Sequence, residues 1–299
     1  MFEEFKNAFH RYNNGHVQLI IVNLAVFVAM GVVMVITKVS GLDDLWTVIH
    51  EQFQIPARFS EFVTRPWTLL TYMFMHDLTG ILHILFNMLI LYWFGRLFVE
   101  YLGSDKLIAI YLLGGVAGGV VYLLAYNFIP FFVAQSETYQ IGMVGASASV
   151  NAIVVATATL LPNYTFFLLF IGPVRIKYIA GVLVFLSFLG TVGNNAGGNL
   201  AHLGGALIGF IYMKQLQAGI NWGSWITVTL EWFKDLFKEK PRVKVSYRKE
   251  RPGGTKATSS EKGSYTQEEI DRILDKISEG GYESLTKDEK EKLFNASKK

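Results

Sequence analysis

Three stretches of the chain, residues 17–37, 81–99 and 107–126, are apolar throughout and hold a single charge, Arg96, among them. Each is about 20 residues long, which is what a helix rising ~1.5 Å per residue needs to cross the ~30 Å hydrocarbon layer of a bilayer. Inside that layer every backbone N–H and C=O has to be bonded within its own segment, so a lone apolar run of this length is read as helix. Stretches 146–161, 176–191 and 199–213 are also apolar, diluted by glycine, alanine, serine and asparagine as packed membrane interfaces often are. The expected fold is an all-α polytopic membrane protein built on a six-helix transmembrane bundle. Composition agrees: of 299 residues, 52% are hydrophobic and 17% charged, which excludes an ordinary soluble domain. Charge is also unevenly placed, since 31 of the 51 Lys, Arg, Asp and Glu residues lie within 231–299, giving an apolar body with a polar tail. The absence of cysteine removes disulfides, thiolate nucleophiles and zinc-thiolate sites, and a net charge of +3 argues against nucleic acid as a partner.

Lys6 and Arg11 precede the first run as they would in a signal peptide. Its 21 largely apolar residues and lack of a small-residue cleavage site favour a retained helix. Lys and Arg also fall before span one, between two and three (Arg96, Lys106), between four and five (Arg175, Lys177), and after six from Lys214 onward. Loops 127–145 and 192–198 have neither, so both termini are expected in the cytoplasm. Loop 38–80 is the weaker vote, its three basic residues being outnumbered by five acids. With Trp46, Phe53, Phe59, Phe62 and Trp67, residues 40–80 read as a folded segment in the outer interface. Residues 224–237 read as an amphipathic helix on the inner surface, followed by a basic run over 234–251 that reads as a solvated linker or an attraction for anionic lipid. Beyond a Gly-, Ser- and Thr-rich linker, Thr266 with Glu269 and Thr286 with Glu289 form two capping boxes, separated by a Gly280-Gly281 stop. They predict a small cytoplasmic helical hairpin.

The few polar side chains inside the spans are expensive there, and each is a functional hypothesis by default. His83 and Asn87 lie four apart on one face of the second span, Ser147 opens the fourth, and His202 lies in the sixth. Because these three spans run inward from the outer face, the four residues come out near one depth at the outer ends. A serine and a histidine supply a nucleophile and its base, and His83 and Asn87 supply donors for an oxyanion. Asn151, Asn199 and Ser149 read as ordinary helix-helix bonding. The fourth span has about 16 residues before Pro162, roughly 24 Å of helix, so its outer end is expected to start below the membrane surface within reach of water. Ala201, Gly205 and Gly209 in the sixth span form a small-residue stripe at four-residue spacing, expected to close on the fourth span at Gly142 and Gly145 and so bring His202 to Ser147.

These residues resemble the rhomboid family of intramembrane serine proteases. The matching text is His-Ile-Leu-Phe-Asn-Met at 83–88, Gly-Ala-Ser at 145–147 and Ala-His-Leu-Gly-Gly at 201–205, with Gly209, Gly103-Ser104, Gly114 and Gly118. The resemblance covers residues 17–215. It implies a catalytic dyad with Ser147 as nucleophile and His202 as general base and then acid. His83, Asn87 and the backbone N–H of Ser147 would form the oxyanion hole. Three departures stand out: Ala148 where glycine is common, Trp67-Thr68 where Trp-Arg is common and for which Arg65 is a substitute, and seven residues rather than five from His76 to His83, an insertion around 77–80.

The expected organisation is a cytoplasmic segment 1–16, a rhomboid-like catalytic domain 17–215, an interfacial helix and basic linker 216–264, and the hairpin tail 265–299. The expected activity is a serine endopeptidase that cuts in or near transmembrane segments of other membrane proteins, with no cofactor and no metal. Its expected partners are transmembrane protein substrates and the lipid bilayer, and the sequence names no partner for the tail. A bacterial inner membrane is the expected location, with the active site opening to the outer face. The alternatives are a non-proteolytic rhomboid-like binder of membrane proteins and, less well supported, a transporter, which would show internal repeats and broken midplane helices.

Overall fold

The computed structural model describes residues 13–138, 142–169, 171–237 and 267–296. The chain divides into two compact units, Met1–Glu239 and Lys240–Lys299.

The first unit contains the six long or apolar helices that the periodicity predicts: α1 (Gly15–Val39), α5 (Ile81–Leu102), α6 (Ser104–Phe128), α8 (Ser147–Leu160), α9 (Ile176–Gly190) and α10 (Ala196–Gln217). By length and composition α1, α5 and α6 each suffice to cross a bilayer. The helices α8 and α9 have 14 and 15 residues, so α8 extends only about 21 Å. Between α5 and α6 the chain reverses at Gly103, whose φ of 85° lies in the left-handed region that favours glycine.

Helix α6 is the hub. A Cβ added to Gly118 would stand 2.6 Å from the Ala148 Cβ and 2.8 Å from the Ala201 carbonyl oxygen, so α6, α8 and α10 meet almost backbone to backbone. The seam between α8 and α10 is closer still: a Cβ on Gly205 would run into the Ala148 carbonyl, and one on Gly209 into that of Ala152. The small-residue stripe thus packs as predicted on the fourth span, but its counterparts are Ala148 and Ala152. Gly142 and Gly145 precede the helix, because α8 begins only at Ser147.

The segment between α1 and α5 is folded: α2 (Asp43–Glu51), strand β1 (Ile55–Pro56), two single-turn helices α3 (Phe59–Phe62) and α4 (Thr68–Thr71), and a 3-10 turn at Tyr72–Phe74. It is fastened to the bundle by buried hydroxyls, with Tyr72 donating to the Gly115 carbonyl at 2.6 Å and Tyr111 donating to the Met73 carbonyl at 2.8 Å. Arg65 donates to the Glu51 carbonyl at 2.9 Å and pairs with the Glu51 and Glu61 carboxylates, while the Trp67 indole N–H donates to the Gln52 carbonyl. After the short helix α7 (Pro130–Thr138), strand β2 (Gly142–Met143) pairs antiparallel with β1, Ile55 opposite Met143. A second hairpin, β3 (Thr165–Leu168) with β4 (Gly172–Arg175), links α8 to α9. These two small sheets are the only non-helical regular structure among the described residues. Helix α11 (Ser224–Phe237) buries Ile226 and exposes Trp225, Val228 and Trp232, the two-faced pattern the sequence predicts there.

In the second unit α12 (Gln267–Gly280) and α13 (Lys287–Ala296) form a hairpin that buries Ile273 and Leu285. The Thr286–Glu289 capping box is formed, with the Thr286 N–H donating to the Glu289 carboxylate at 2.7 Å. That bond, with Lys276 alongside, holds the Glu289 carboxyl at about 2, well below the usual carboxylate range. Thr266 of the other box and most of the basic run lie outside the described residues.

Candidate active site

Ser147 is the first residue of α8, so its backbone N–H has no acceptor one turn earlier within the helix and faces outward where the helix dipole favours negative charge. The turn that delivers it depends on Gly145, whose φ of 136° suits glycine and whose N–H donates to the Tyr72 carbonyl at 3.0 Å. The segment between α1 and α5 therefore fixes the approach to the serine. Ala148, the first departure, is accommodated because its methyl lies over Gly118, where α6 has no side chain.

His202, on the second turn of α10, is carried to Ser147 by the α8–α10 seam: its Nε2 is 2.6 Å from the Ser147 Oγ. That is hydrogen-bond contact between a hydroxyl and the nitrogen able to take its proton. The other ring nitrogen, Nδ1, is 3.3 Å from the Ser187 Oγ on α9. The sequence reading passes over Ser187, for a serine in an apolar helix ordinarily bonds to its own backbone. The signal available was only that it is the one serine in the 176–191 run.

His83 lies in the first turn of α5 with its ring exposed, its Cε1 3.4 Å from where a Gly145 Cβ would stand. Asn87, buried one turn further in, donates one amide hydrogen to the His83 carbonyl at 2.9 Å. Its second amide hydrogen remains for another acceptor. Asn151 and Asn199 donate within or between helices, to the carbonyls of Ser147 and of Gly190 and Asn195 respectively.

Two cavities meet at the serine. The larger, about 670 Å³, has polar walls that include Asp77, His83, Tyr126, Gln135, Asn194 and Ser147. The smaller, about 280 Å³, runs between α5, α8, α9 and α10 and is lined by Phe86, Leu183 and Leu186 besides His83, Asn87, Ser147, Ser187 and His202. All four residues singled out in the sequence therefore line one space. A polar cavity on one side of Ser147 and a largely apolar slot on the other suit a reaction between water and a membrane-borne group. No group of three His, Asp or Glu side chains arranged to hold a metal occurs among the described residues.

At the rim, the insertion around 77–80 is an Asx turn, the Asp77 carboxylate accepting from the Thr79 N–H at 2.8 Å and from its hydroxyl at 2.7 Å. Those bonds hold the Asp77 carboxyl below its ordinary value. His76 beside it is buried with neither ring nitrogen hydrogen-bonded, its ring edge-on to His83 at 6.1 Å. Burial, reinforced by the neighbouring His83, pushes it down to about 4.

Known proteins agree with this architecture. The chain is 31% identical over 194 residues to RHOMBOID-like protein 12, mitochondrial, from Arabidopsis thaliana, which covers 60% of this chain and 56% of that protein. It is 28% identical over 212 residues to Rhomboid-like protein 16, chloroplastic, of the same plant, covering 67% of this chain and 62% of that one. Presenilin-associated rhomboid-like protein A, mitochondrial, from Danio rerio is 32% identical over 140 residues, 45% of this chain and 34% of that protein. The chain thus spans roughly three-fifths or less of these relatives' own length. Their names place them in mitochondria and chloroplasts, so they lend no support to a bacterial inner membrane as the location. The tail, residues 259–299, matches a family of unknown function (DUF6576). Residues 63–217, half the chain and the part that holds every site residue named above, match the rhomboid domain, and the chain belongs to the rhomboid family.

Proposed function

We propose that this protein is an intramembrane serine endopeptidase. The observation that carries the reading is the 2.6 Å contact between Ser147 Oγ and His202 Nε2 at the junction of a polar cavity and an apolar slot. His202 Nε2 takes the hydroxyl proton as the Ser147 Oγ bonds to the scissile carbonyl carbon. The oxyanion is met by the Ser147 N–H, the free Asn87 amide hydrogen and His83. The C–N bond then breaks, with the Nε2 proton passing to the leaving amine. Water from the larger cavity loses a proton to Nε2 and attacks the acyl carbon; the ester C–O bond breaks, the Nε2 proton returns to the Ser147 Oγ, and the new carboxyl group is released.

The substrate is a transmembrane segment of another protein, entering past α5 and α9, the walls of the apolar slot. A helix hides its carbonyl carbons, so the cut segment has to unwind locally, which favours small or helix-breaking residues at the site. The Lys and Arg of alternate loops support cytoplasmic termini, with the site opening to the opposite face.

The test is incubation of purified protein with a single-span substrate, alongside Ser147→Ala and His202→Ala. Each variant is expected to lose at least about a thousandfold in kcat while staying folded. Cleavage by both at the parent rate rules the dyad out. A folded parent that neither cleaves nor reacts with a fluorophosphonate at Ser147 is instead a binder of membrane proteins.

A further inference from the structure

Ser187 sits on a helix with little reason to carry a polar group. In α9 the buried residues are Ile176, Ala180 and Ser187, all on one face, while Phe185, Leu186, Phe188 and Leu189 around the serine are more than half exposed. Three threonine hydroxyls in the spans turn back on their own helix: Thr37 bonds the Val33 carbonyl, Thr157 that of Ile153 and Thr159 that of Val155. The Ser187 hydroxyl instead meets His202 Nδ1 at 3.3 Å across the helix interface.

We infer that Ser187 is a positioning residue for His202, acting on the ring from the side opposite Ser147. The inference rests on the protease reading. A histidine that receives a proton at Nε2 has to keep its own on Nδ1, and a neutral imidazole is free to choose either tautomer. In hydrocarbon surroundings an Nδ1–H without an acceptor is costly, and the Ser187 oxygen can accept it, so the tautomer whose Nε2 lone pair faces Ser147 carries no unpaired donor. When Nε2 takes the serine proton both ring nitrogens carry hydrogen, and Nδ1–H keeps the same acceptor. The Ser187 proton does not move at any step. A single neutral hydroxyl here does part of what a carboxylate does in a triad, without placing a buried charge in the membrane.

The experiment compares Ser187→Ala, Ser187→Val and Ser187→Thr with the parent, following the rate of Ser147 labelling by a fluorophosphonate, kcat and KM on a single-span substrate, and the unfolding midpoint. Threonine keeps the oxygen and valine has the same shape without it. Labelling and kcat are expected to fall about five- to tenfold in the Ala and Val variants and to return towards the parent in Thr, with KM unchanged. Equal rates for Thr and Val, or a loss confined to KM, overturn the role of Ser187 while leaving the dyad standing. A folded parent that is not labelled at Ser147 overturns the protease reading, and the inference with it. A loss of activity matched by a lowered midpoint in all three variants assigns Ser187 to packing alone and likewise overturns it.

Discussion

Helices α8 and α9 are nearly the same length, 14 and 15 residues, and both border the apolar slot, yet they are held in opposite ways. Most of α8 is buried, and its carbonyls at Ala148 and Ala152 lie against glycines of α10. Only Ile176, Ala180 and Ser187 of α9 are buried, and Gly181 at its centre has nothing within 4 Å of where a Cβ would be. The distance between Ser147 and His202 is set by backbone against backbone, which leaves little freedom. The third polar group arrives on a lightly seated helix. Rigidity is concentrated where the reacting atoms are, and α9 is left as the wall with fewest contacts to break.

The sharpest way to break this contrast is to add the same side chain to both sides. Gly205→Leu drives four carbons into the Ala148 carbonyl and is expected to lower stability by about 3 kcal/mol or more, and to abolish activity. Gly181→Leu fills open space and is expected to stay within about 0.5 kcal/mol of the parent. Chemical unfolding in mixed micelles reads both, and equal effects would show that the seam is not what holds the site.

The rim responds to pH rather than to bulk. His76 is held near 4 in the folded protein, against about 6.5 in an unfolded chain. As pH falls from about 6.5 the unfolded chain takes up the proton first, so stability declines until about pH 4 and changes no further from this source. The loss from this group is expected to be about 3 kcal/mol, and His76→Gln should remove that share of the decline. An unfolding midpoint that drops as steeply in the His76→Gln protein as in the parent would move the cause to another group. On α5, Asn87→Ala is expected to reduce kcat about a hundredfold with little change in KM or stability, as for a donor that acts on developing charge. A proportionate rise in KM would make it a ground-state contact. The smallest effect is expected in the tail, where Thr286→Ala removes a cap and should speed hydrogen exchange of the α13 amides while the spans unfold as before.

How legible each feature is in the sequence follows from how local its cause is. The spans are visible because each is a run of apolar residues whose period and length are self-contained. His83 with Asn87, and the glycine stripe of α10, are visible because one helix face carries them. What the seam packs against is hidden, for Ala148 and Ala152 look like any helical alanines until Gly205 and Gly209 are laid on them. The pairing of β1 with β2 is two residues long and joins positions far apart in the chain, so it has no pattern to read. Ser187 is hidden for a different reason: its meaning depends on a nitrogen fifteen residues away on another helix. The Ala148 departure from the family's usual glycine ceases to be a puzzle only when Gly118 is seen beneath it.

The separation of 55 residues between Ser147 and His202 also bears on how the protein is made. Spans leave the ribosome in order, and the base sits on the last of the six. A chain whose fifth span has been inserted already carries Ser147, its turn, His83 and Asn87, but not His202. On the proposed mechanism the chain lacks its base until α10 is packed, so completion of synthesis would itself be the step that arms the site.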